Sequence, residues 1–330
     1  MKQDLVKLGI DLYKNRVTDY SNNQANDVIR KAFVEIIGTD KPNFSQFRRY
    51  KNDIFEIIEE VLDQTITDGM IASPFFEQFV DYRDLALGDT NEFYVEDRTM
   101  LVAARHSGNH WSIRRQKLNI GDTFTVQTEP YAIAIYTDFK RFLAGRIDWD
   151  AFIKKVSEAF TQELNSRIYT EFMASMAYLP AEFKQTGTYN DATLIEQAEH
   201  VQAANQGSQI IIAGTRTALS KLSGATTLMS ENMKDQINKN GVLSVWNGYS
   251  LLPIPQSHKP NTFEFQIAND RLMVLPANAK PIKVVKEGTP FIKEVSDGTT
   301  NQDMSMEYKF ITQYGVDTVF NVMYGMYQFA

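Results

Sequence analysis

The sequence predicts an α+β fold, because three stretches of different character follow one another along the chain. Residues 91–136 alternate apolar and polar side chains, which is the pattern of a long β-hairpin. Residues 149–178 carry apolar side chains at helical spacing over almost their whole length. Residues 191–276 alternate short helical segments with short strands, so we expect a mixed-sheet domain there.

The composition is that of an ordinary folded chain without special stabilising chemistry. The 330 residues are 43% hydrophobic, which is enough for a substantial core in one large domain or two modest ones. The absence of cysteine excludes disulfides, thiolate zinc sites and cysteine nucleophiles. No run of about 18 apolar residues is present, so we expect no association with a membrane. The formal net charge of -7 argues against tight binding to a polyanion such as DNA.

Residues 1–90 are predicted to be helical. Apolar stripes occur from Leu5 to Tyr13, from Val28 to Ile37 and from about Phe44 to Gln64, and Gly38 is placed to end the second helix. Helices of this kind bury their stripes either against each other or against a neighbouring subunit, and the sequence leaves both possibilities open.

The predicted hairpin, residues 91–136, has a polar and basic tip. Its return arm places Leu118, Ile120, Phe124 and Val126 on one face, and Pro130 shifts the register so that Tyr131, Ile133 and Ile135 continue that face. An arm of about a dozen residues at ~3.3 Å per residue reaches roughly 40 Å, farther than a hairpin extends inside a compact domain. We therefore expect the hairpin to lie on another copy of the chain. The expected intersubunit contacts are Arg98, Arg105, His106, His110, Trp111, Arg114, Arg115 and Lys117.

The next stretch, residues 149–178, is predicted to form one long amphipathic helix. Asp148 or Asp150 is placed to cap its start, and Pro180 is placed to stop it. About thirty residues at ~1.5 Å each give a helix of ~45 Å, which is well above the usual length.

The C-terminal half is predicted to contain most of the strands. Within residues 191–276 we expect strands at 209–213, 242–246, 249–254, 263–267 and 272–275. The last residues are expected to form strands at 282–285, 291–295, 304–313 and 316–329, with Tyr314-Gly315 as a turn or bulge between the last two. An aromatic set on that last pair is expected to pack on the long helix: Phe310, Tyr314, Phe320, Tyr324, Tyr327 and Phe329.

The sequence carries no motif for catalysis or for nucleotide binding. The patterns G-x-G-x-x-G, Walker A, G-x-S-x-G and H-E-x-x-H are all absent. His106 and His110 have the i, i+4 spacing of a helical metal site, but Ser-Gly-Asn between them disfavours a helix. Glu59 and Glu60 are adjacent, so on a helix they point about 100° apart and do not converge on one atom. We therefore expect no catalytic residues, no metal and no cofactor.

The order of these elements resembles the major capsid protein of tailed bacteriophages of the Hong Kong 97 type. The segments Gln209 to Leu219, Gly248 to Ile254 and Asn269 to Val274 look like consecutive parts of the axial domain of that family. The resemblance divides the chain into an N-terminal helical arm (1–90), an extended loop (91–136), a peripheral domain (137–190) with its spine helix at 149–178, an axial domain (191–276) and closing peripheral strands (277–330).

This resemblance implies a structural protein and not an enzyme. The implied function is self-assembly through hexamers and pentamers into an icosahedral shell that encloses packaged double-stranded DNA without sequence-specific contacts. The implied location is the virion capsid, assembled in the host cytoplasm, with scaffolding, portal and decoration proteins as candidate partners. An encapsulin-type compartment and a phage tail or connector protein are alternative structural roles. An α/β enzyme with its site in residues 191–276 is the alternative from another class.

Overall fold

The fold is α+β, as predicted, with a four-stranded sheet, a six-stranded sheet, a separate pair of strands and a layer of long helices within the described residues. The computed structural model of the protein describes residues 2–14, 16, 22–39, 44–71, 73–96, 103, 108, 116, 121–137, 149–224, 230–259, 262–277, 279–295, 306–319 and 322–329. Eight α-helices lie within these residues: α1 (Lys2–Tyr13), α2 (Asn22–Ile37), α3 (Phe44–Ile71), α4 (Pro74–Phe79), α5 (Trp149–Ser175), α6 (Asp191–Ala204), α7 (Arg216–Gly224) and α8 (Glu231–Asn240).

The strands within the same residues are β1 (Val80–Leu85), β2 (Glu92–Glu96), β3 (Gly121–Thr125), β4 (Glu129–Thr137), β5 (Lys184–Gly187), β6 (Ile210–Thr215), β7 (Val245–Trp246), β8 (Tyr249–Ile254), β9 (Arg271–Pro276), β10 (Ile282–Val295), β11 (Met306–Thr318) and β12 (Gly325–Phe329). They form a four-stranded sheet in the order β1-β10-β11-β4 and a six-stranded sheet in the order β5-β12-β9-β6-β8-β7. Strands β2 and β3 pair only with each other within the described residues.

Helix α5 is the predicted long helix, and we call it the spine helix. It continues as a 3₁₀ turn, Met176–Tyr178, and ends before Pro180, whose ring cannot extend a helix. Every third or fourth side chain along it is buried, which confirms the predicted stripe: Ile153, Val156, Phe160, Leu164, Ile168, Phe172 and Met176.

The N-terminal helices pack within the same chain. Helix α1 approaches α3 so closely that a Cβ on Gly9 would lie 3.0 Å from Val61, and α3 runs along the spine helix. The apolar stripes of α1, α2 and α3 belong to the same buried cluster as the spine helix and the four-stranded sheet. Of the two possibilities that the sequence left open, burial against each other is therefore the one observed.

Strand β4 differs from the predicted hairpin. The sequence assigned residues 129–136 to its return arm, but β4 pairs antiparallel with β11 and not with the first arm. Pro130 lacks an N–H group and marks the change of partner. Tyr131 and Ile133 then turn toward the helices, where they pack against the main cluster.

The C-terminal strands also differ from their prediction. Residues 282–295 form one strand with an irregularity between Glu287 and Phe291, and residues 306–318 form another that continues through Gly315 without a turn. Strand β12 leaves this sheet and pairs with β9 and β5 in the other one, whereas the sequence grouped all of 277–330 as closing strands of one peripheral domain. The sequence could not show this, because strand pairing depends on partners more than forty residues away.

The aromatic set is correspondingly split between the two sheets. The ring of Phe310 packs on Phe160 at 5.1 Å between centroids, and that of Tyr324 packs on Phe172 at 5.0 Å, as expected for a sheet on the spine helix. Tyr327 and Phe329 lie instead in the second core cluster, under the six-stranded sheet. Phe320 lies outside the described residues.

The six-stranded sheet carries α6, α7 and α8, and local sequence accounts for their ends. The Asn190 side chain accepts a hydrogen bond from Ala192 N at the start of α6, and Ser230 caps α8 in the same way. The predicted strand at 263–267 is absent from this sheet. Residues 257–259 and 262–266 form two short arms of a loop instead, in which Gln266 N donates to Ser257 O (2.9 Å) and Lys259 N donates to Glu264 O (2.9 Å). The loop satisfies these backbone groups internally, so they need no sheet partner.

Candidate functional site

The base of the predicted hairpin is a two-stranded stem that stands on the four-stranded sheet. Strands β2 and β3 pair antiparallel with Phe93 opposite Phe124, and their rings stack at 5.5 Å between centroids. Phe93 is only 1% exposed, and it forms a small apolar cluster with Val126 and with Val285 of β10. The stem is therefore fixed to the sheet by a buried apolar contact.

Two cations on the same face of the four-stranded sheet also contact the buried ring of Phe93. The guanidinium carbon of Arg83 lies 3.9 Å from the ring centroid, and the ammonium of Lys283 lies 5.4 Å from it. Cation–π contacts of this kind contribute about 0.5–2 kcal/mol each. Arg83 also donates a hydrogen bond to Glu92 O at 2.8 Å, so β1 fixes both the side chain and the backbone of the first arm.

Two polar side chains tie the return arm to its surroundings. The Asn91 amide donates to Val126 O and accepts from Val126 N, both at 2.7 Å, and so extends the strand pairing by one position. Glu287 of β10 accepts hydrogen bonds from Thr128 Oγ1 (2.5 Å) and Gly88 N (3.0 Å). These two bonds lower the pKa of Glu287, which keeps the carboxylate ionised.

The return arm crosses β11 at a place where only glycine fits. A Cβ on Gly315 would lie 2.5 Å from Gln127 O and 2.8 Å from a methyl group of Val126. Backbone to backbone contact of this kind cannot relax by rotation of a side chain. The close approach therefore sets the position of the stem on the sheet.

We expect Gly315→Ala to destabilise the protein by about 1–3 kcal/mol, because the added methyl group forces β11 and residues 126–127 apart. Urea unfolding followed by circular dichroism measures the change. Asp317→Ala, at an exposed position two residues along the same strand, is the control and should change stability by less than about 0.5 kcal/mol. Equal stability of Gly315→Ala and the parent protein would contradict the assigned crossing.

A buried ion network connects the N-terminal helices to the same sheet. Lys286 of β10 is 1% exposed, and its Nζ lies 2.6 Å from Asp63 Oδ1 of α3 and 3.1 Å from Asp84 Oδ2 of β1. Burial raises the pKa of Asp63, which its bond to Lys286 partly offsets. Burial alone would lower the pKa of Lys286, but the bonds to Asp63 and Asp84 raise it above its usual value. The network therefore holds a charged lysine against α3.

One turn earlier on α3, Glu59 makes a second bond to the same strand by accepting from Ile292 N at 2.5 Å. Burial raises the pKa of Glu59 as well. The N-terminal helices are thus attached to β10 by apolar packing and by two carboxylates, and they form part of the platform on which the stem stands.

The eight predicted intersubunit contacts, from Arg98 to Lys117, lie outside the described residues, so their role stays a prediction. The structure adds anchor residues that sequence reasoning did not find: Arg83, Asn91, Thr128, Glu287 and Gly315. An asparagine immediately before a strand and a glycine inside one were the available signals. Their partners, however, lie up to about two hundred residues away in sequence.

The described part of the chain shows no arrangement typical of catalysis. Within it, no group of three or more His, Asp or Glu side chains is placed to hold a metal ion. His200 packs against the ring of Phe183, and His258 stacks on Phe265. No helix among the described residues is long and apolar enough to cross a membrane.

Comparison with known proteins connects this architecture to viral shells. A chain in the "Asymmetric unit of bacteriophage PhiM1 mature capsid" has a TM-score of 0.53 at 12% identity, over 78% of this chain and 87% of that one. The structure described as Microbacterium phage Oxtober96 has a TM-score of 0.49 at 11% identity, over 78% of this chain and 91% of that one. The capsid of cyanophage P-SCSP1u has a TM-score of 0.49 at 13% identity, over 78% of this chain and 88% of that one. The fold assignment rests on the first of these, because only its TM-score exceeds 0.5.

Sequence comparison gives the family directly. None of the curated proteins matches the chain. The family described as "SPbeta prophage-derived putative capsid protein YonB" matches residues 5–328, which is nearly the whole chain. The protein therefore has the Hong Kong 97 type of capsid fold and belongs to the YonB family of prophage-derived capsid proteins.

Proposed function

We propose that the chain is a major capsid subunit that assembles through hexamers and pentamers into an icosahedral shell around packaged double-stranded DNA. The observation that carries the proposal is the anchored stem of β2 and β3. Packing, two cations, Asn91 and Glu287 fix its position before any partner is met. A pre-organised element loses less conformational entropy on binding, so it is suited to contacts between copies.

The residues between the two stem strands, 97–120, are proposed to contact a neighbouring subunit. The eight residues named above supply a basic and aromatic set within them. Arginine and tryptophan are the residue types that most often dominate interface energies. Many modest contacts of this kind are sufficient for a large obligate assembly.

The negative charge of the chain is consistent with a shell that encloses DNA but does not bind it tightly on its inner surface. A subunit with a net charge of -7 repels a polyanion over distances of about a Debye length, ~8 Å at physiological salt. We propose that packaged DNA is held by the closed shell and not by specific contacts. Assembly in the host cytoplasm, with scaffolding, portal and decoration proteins, is part of the same proposal.

Deletion of residues 104–113 is expected to leave a folded subunit that forms no closed shells. The anchors of the stem lie outside the deletion, so the subunit retains its fold, but the contact with its neighbour is lost. Negative-stain electron microscopy measures assembly, and circular dichroism measures folding. A variant in which the same residues are replaced by a Gly-Ser segment of equal length separates chain length from side-chain contacts. Normal shells from the deletion would refute the proposed role of the hairpin.

The contents of purified particles test the second part of the proposal. Nuclease-resistant double-stranded DNA is expected in particles made with the other components of the phage element. A folded cargo protein in place of DNA would indicate an encapsulin-type compartment. Rings or tubes in place of shells would indicate a connector or tail protein.

A further inference from the structure

The loop between β8 and β9 carries the most exposed large apolar side chain of the described residues. Phe263 is 95% exposed and Phe265 is 54% exposed. His258 stacks on Phe265 at 5.5 Å and meets Phe263 edge-on at 6.2 Å. We call the described residues of this loop, 257–259 and 262–266, the aromatic loop. Two exposed phenylalanines two positions apart form an apolar patch, and such patches mark interaction sites more often than isolated apolar side chains do.

The two described arms of the aromatic loop, 257–259 and 262–266, bond to each other and to the spine helix. Its two arms pair through Lys259 N to Glu264 O and Gln266 N to Ser257 O, each at 2.9 Å. Gln162 of the spine helix donates to His258 O and accepts from Gln266 Nε2. An aromatic ring presented from paired arms has the character of an interface anchor, since arms that are already ordered lose little entropy on docking.

A cavity of matching size lies at the base of the same loop. It has a volume of about 200 Å³ and lies between α4, the spine helix and the strand that leads into the loop. An apolar cavity of about 150 Å³ is known to accept a benzene ring, so this one is large enough for a phenyl group. Half of its lining is apolar and half carries polar groups; the apolar residues are Phe75, Phe76, Ile168, Ile254, Pro255 and Ile267, and the others are Ser73, Asn165, Tyr169, Gln256, Ser257 and Gln266.

The charges beside the ring and beside the cavity are complementary. Lys259 flanks the ring and is bound to Glu264 in an exposed ion pair, which contributes about 0–1 kcal/mol and exchanges easily. Glu77 is exposed on α4, one turn after Ser73 at the cavity rim, and makes no ion pair within the described residues. When the ring enters the cavity of a second copy, Lys259 can form an ion pair with Glu77 of that copy.

We propose that Phe263 of one copy inserts into this cavity of a second copy, with Lys259 beside Glu77 of that copy. The contact is head-to-tail, because ring and cavity are different surfaces of the same chain, and contacts of this type propagate from subunit to subunit. The inference rests on the proposed self-assembly and names one of its contacts.

The cysteine-free chain allows a direct test by disulfide cross-linking in assembled particles. One population carries Thr262→Cys, next to the ring, and the other carries Ser73→Cys, at the cavity rim. Ser73 makes no side-chain capping bond, so its replacement removes no helix cap. The two are mixed, assembled and oxidised, and peptide mass spectrometry identifies the linked positions. A disulfide between position 262 of one chain and position 73 of another is the expected result, since the proposed contact brings the two thiols within the geometric reach of a disulfide.

Two control variants make the test specific. Thr217→Cys in place of Ser73→Cys puts the thiol in the neighbouring cavity of about 420 Å³ and should give no link. Phe263→Ser added to Thr262→Cys should reduce the yield of the expected link about tenfold or more, because the buried phenyl group is lost. Links from position 262 to 217, or between two copies of position 262, would overturn the assigned cavity.

The outcomes also separate this inference from the proposed function. Shells that form without the link between positions 262 and 73 overturn the inference and leave the function standing. The link without shells supports the contact and contradicts the function. If neither the shells nor the link between positions 262 and 73 forms, both the inference and the proposed function are refuted.

Discussion

Lys286→Ala is expected to destabilise the protein by about 3–5 kcal/mol at neutral pH, because it leaves the Asp63 carboxylate buried without its partner. The lysine is 1% exposed and contacts Asp63 at 2.6 Å, and the Asp63 side chain is 25% exposed, so water compensates only part of the lost ammonium contact. Most domains are stable by only about 5–15 kcal/mol, so a loss of this size removes a large part of the total. Urea unfolding at pH 7.5 measures it.

The control for this variant is Lys293→Ala on the same strand. Lys293 is exposed, and it lies directly opposite Lys309 in the register, so its removal should change stability by less than about 0.5 kcal/mol. The double variant Lys286→Met with Asp63→Leu should recover most of the loss, because it removes both charges and keeps the volume. A Lys286→Ala protein as stable as Lys293→Ala would show that the buried network is not formed.

The defect of Lys286→Ala should also become smaller as the pH falls. Burial raises the pKa of Asp63, and without Lys286 nothing close by lowers it again. In the window between the unfolded pKa and this raised folded pKa, the folded state binds more protons than the unfolded state, so its relative stability increases with acidity. Unfolding at pH 5 and pH 7.5, with the parent protein measured in parallel, tests the sign. A defect that grows with acidity would assign the loss to another group.

Local pattern was sufficient to predict elements whose stability depends on their own sequence. The spine helix was predicted from the spacing of apolar residues such as Phe160 and Phe172, and both are buried as expected. The stem was predicted from its alternation, and Phe93 and Phe124 do face each other in the ladder. In each case, the residues that carry the pattern lie within about thirty positions of one another in the sequence.

Long-range pairing limited what could be predicted elsewhere. Strand β12 carries the same aromatic alternation as β11, yet it enters the other sheet, where it pairs with β9 on one side and β5 on the other. Lys286 stands between apolar and acidic residues in a strand, where an exposed lysine is the usual expectation. Only the placement of α3 over β10, which brings Asp63 to it, explains its burial. The stem anchor Glu287 depends on such distant neighbours as well, since it bonds Thr128.

Ile168→Asp is expected to abolish soluble folding, since it places an unpaired carboxylate on the packed face of the spine helix. Ile168 is 3% exposed and belongs to the cluster that joins the helix to the N-terminal helices and the sheet. A carboxyl group at this position costs several kcal/mol whether it is buried as the ion or becomes protonated, and the packing of the isoleucine is lost as well. A loss of this size removes most of the stability of a typical domain, so the chain unfolds or the helix detaches. Solubility after expression and thermal unfolding of any soluble fraction measure the effect. Thr170→Asp introduces the same residue at an exposed position two residues away and should remain soluble with cooperative unfolding. Equal behaviour of the two variants would mean that the spine helix presents a different face to the core, and the platform beneath the stem would then have to be reassigned.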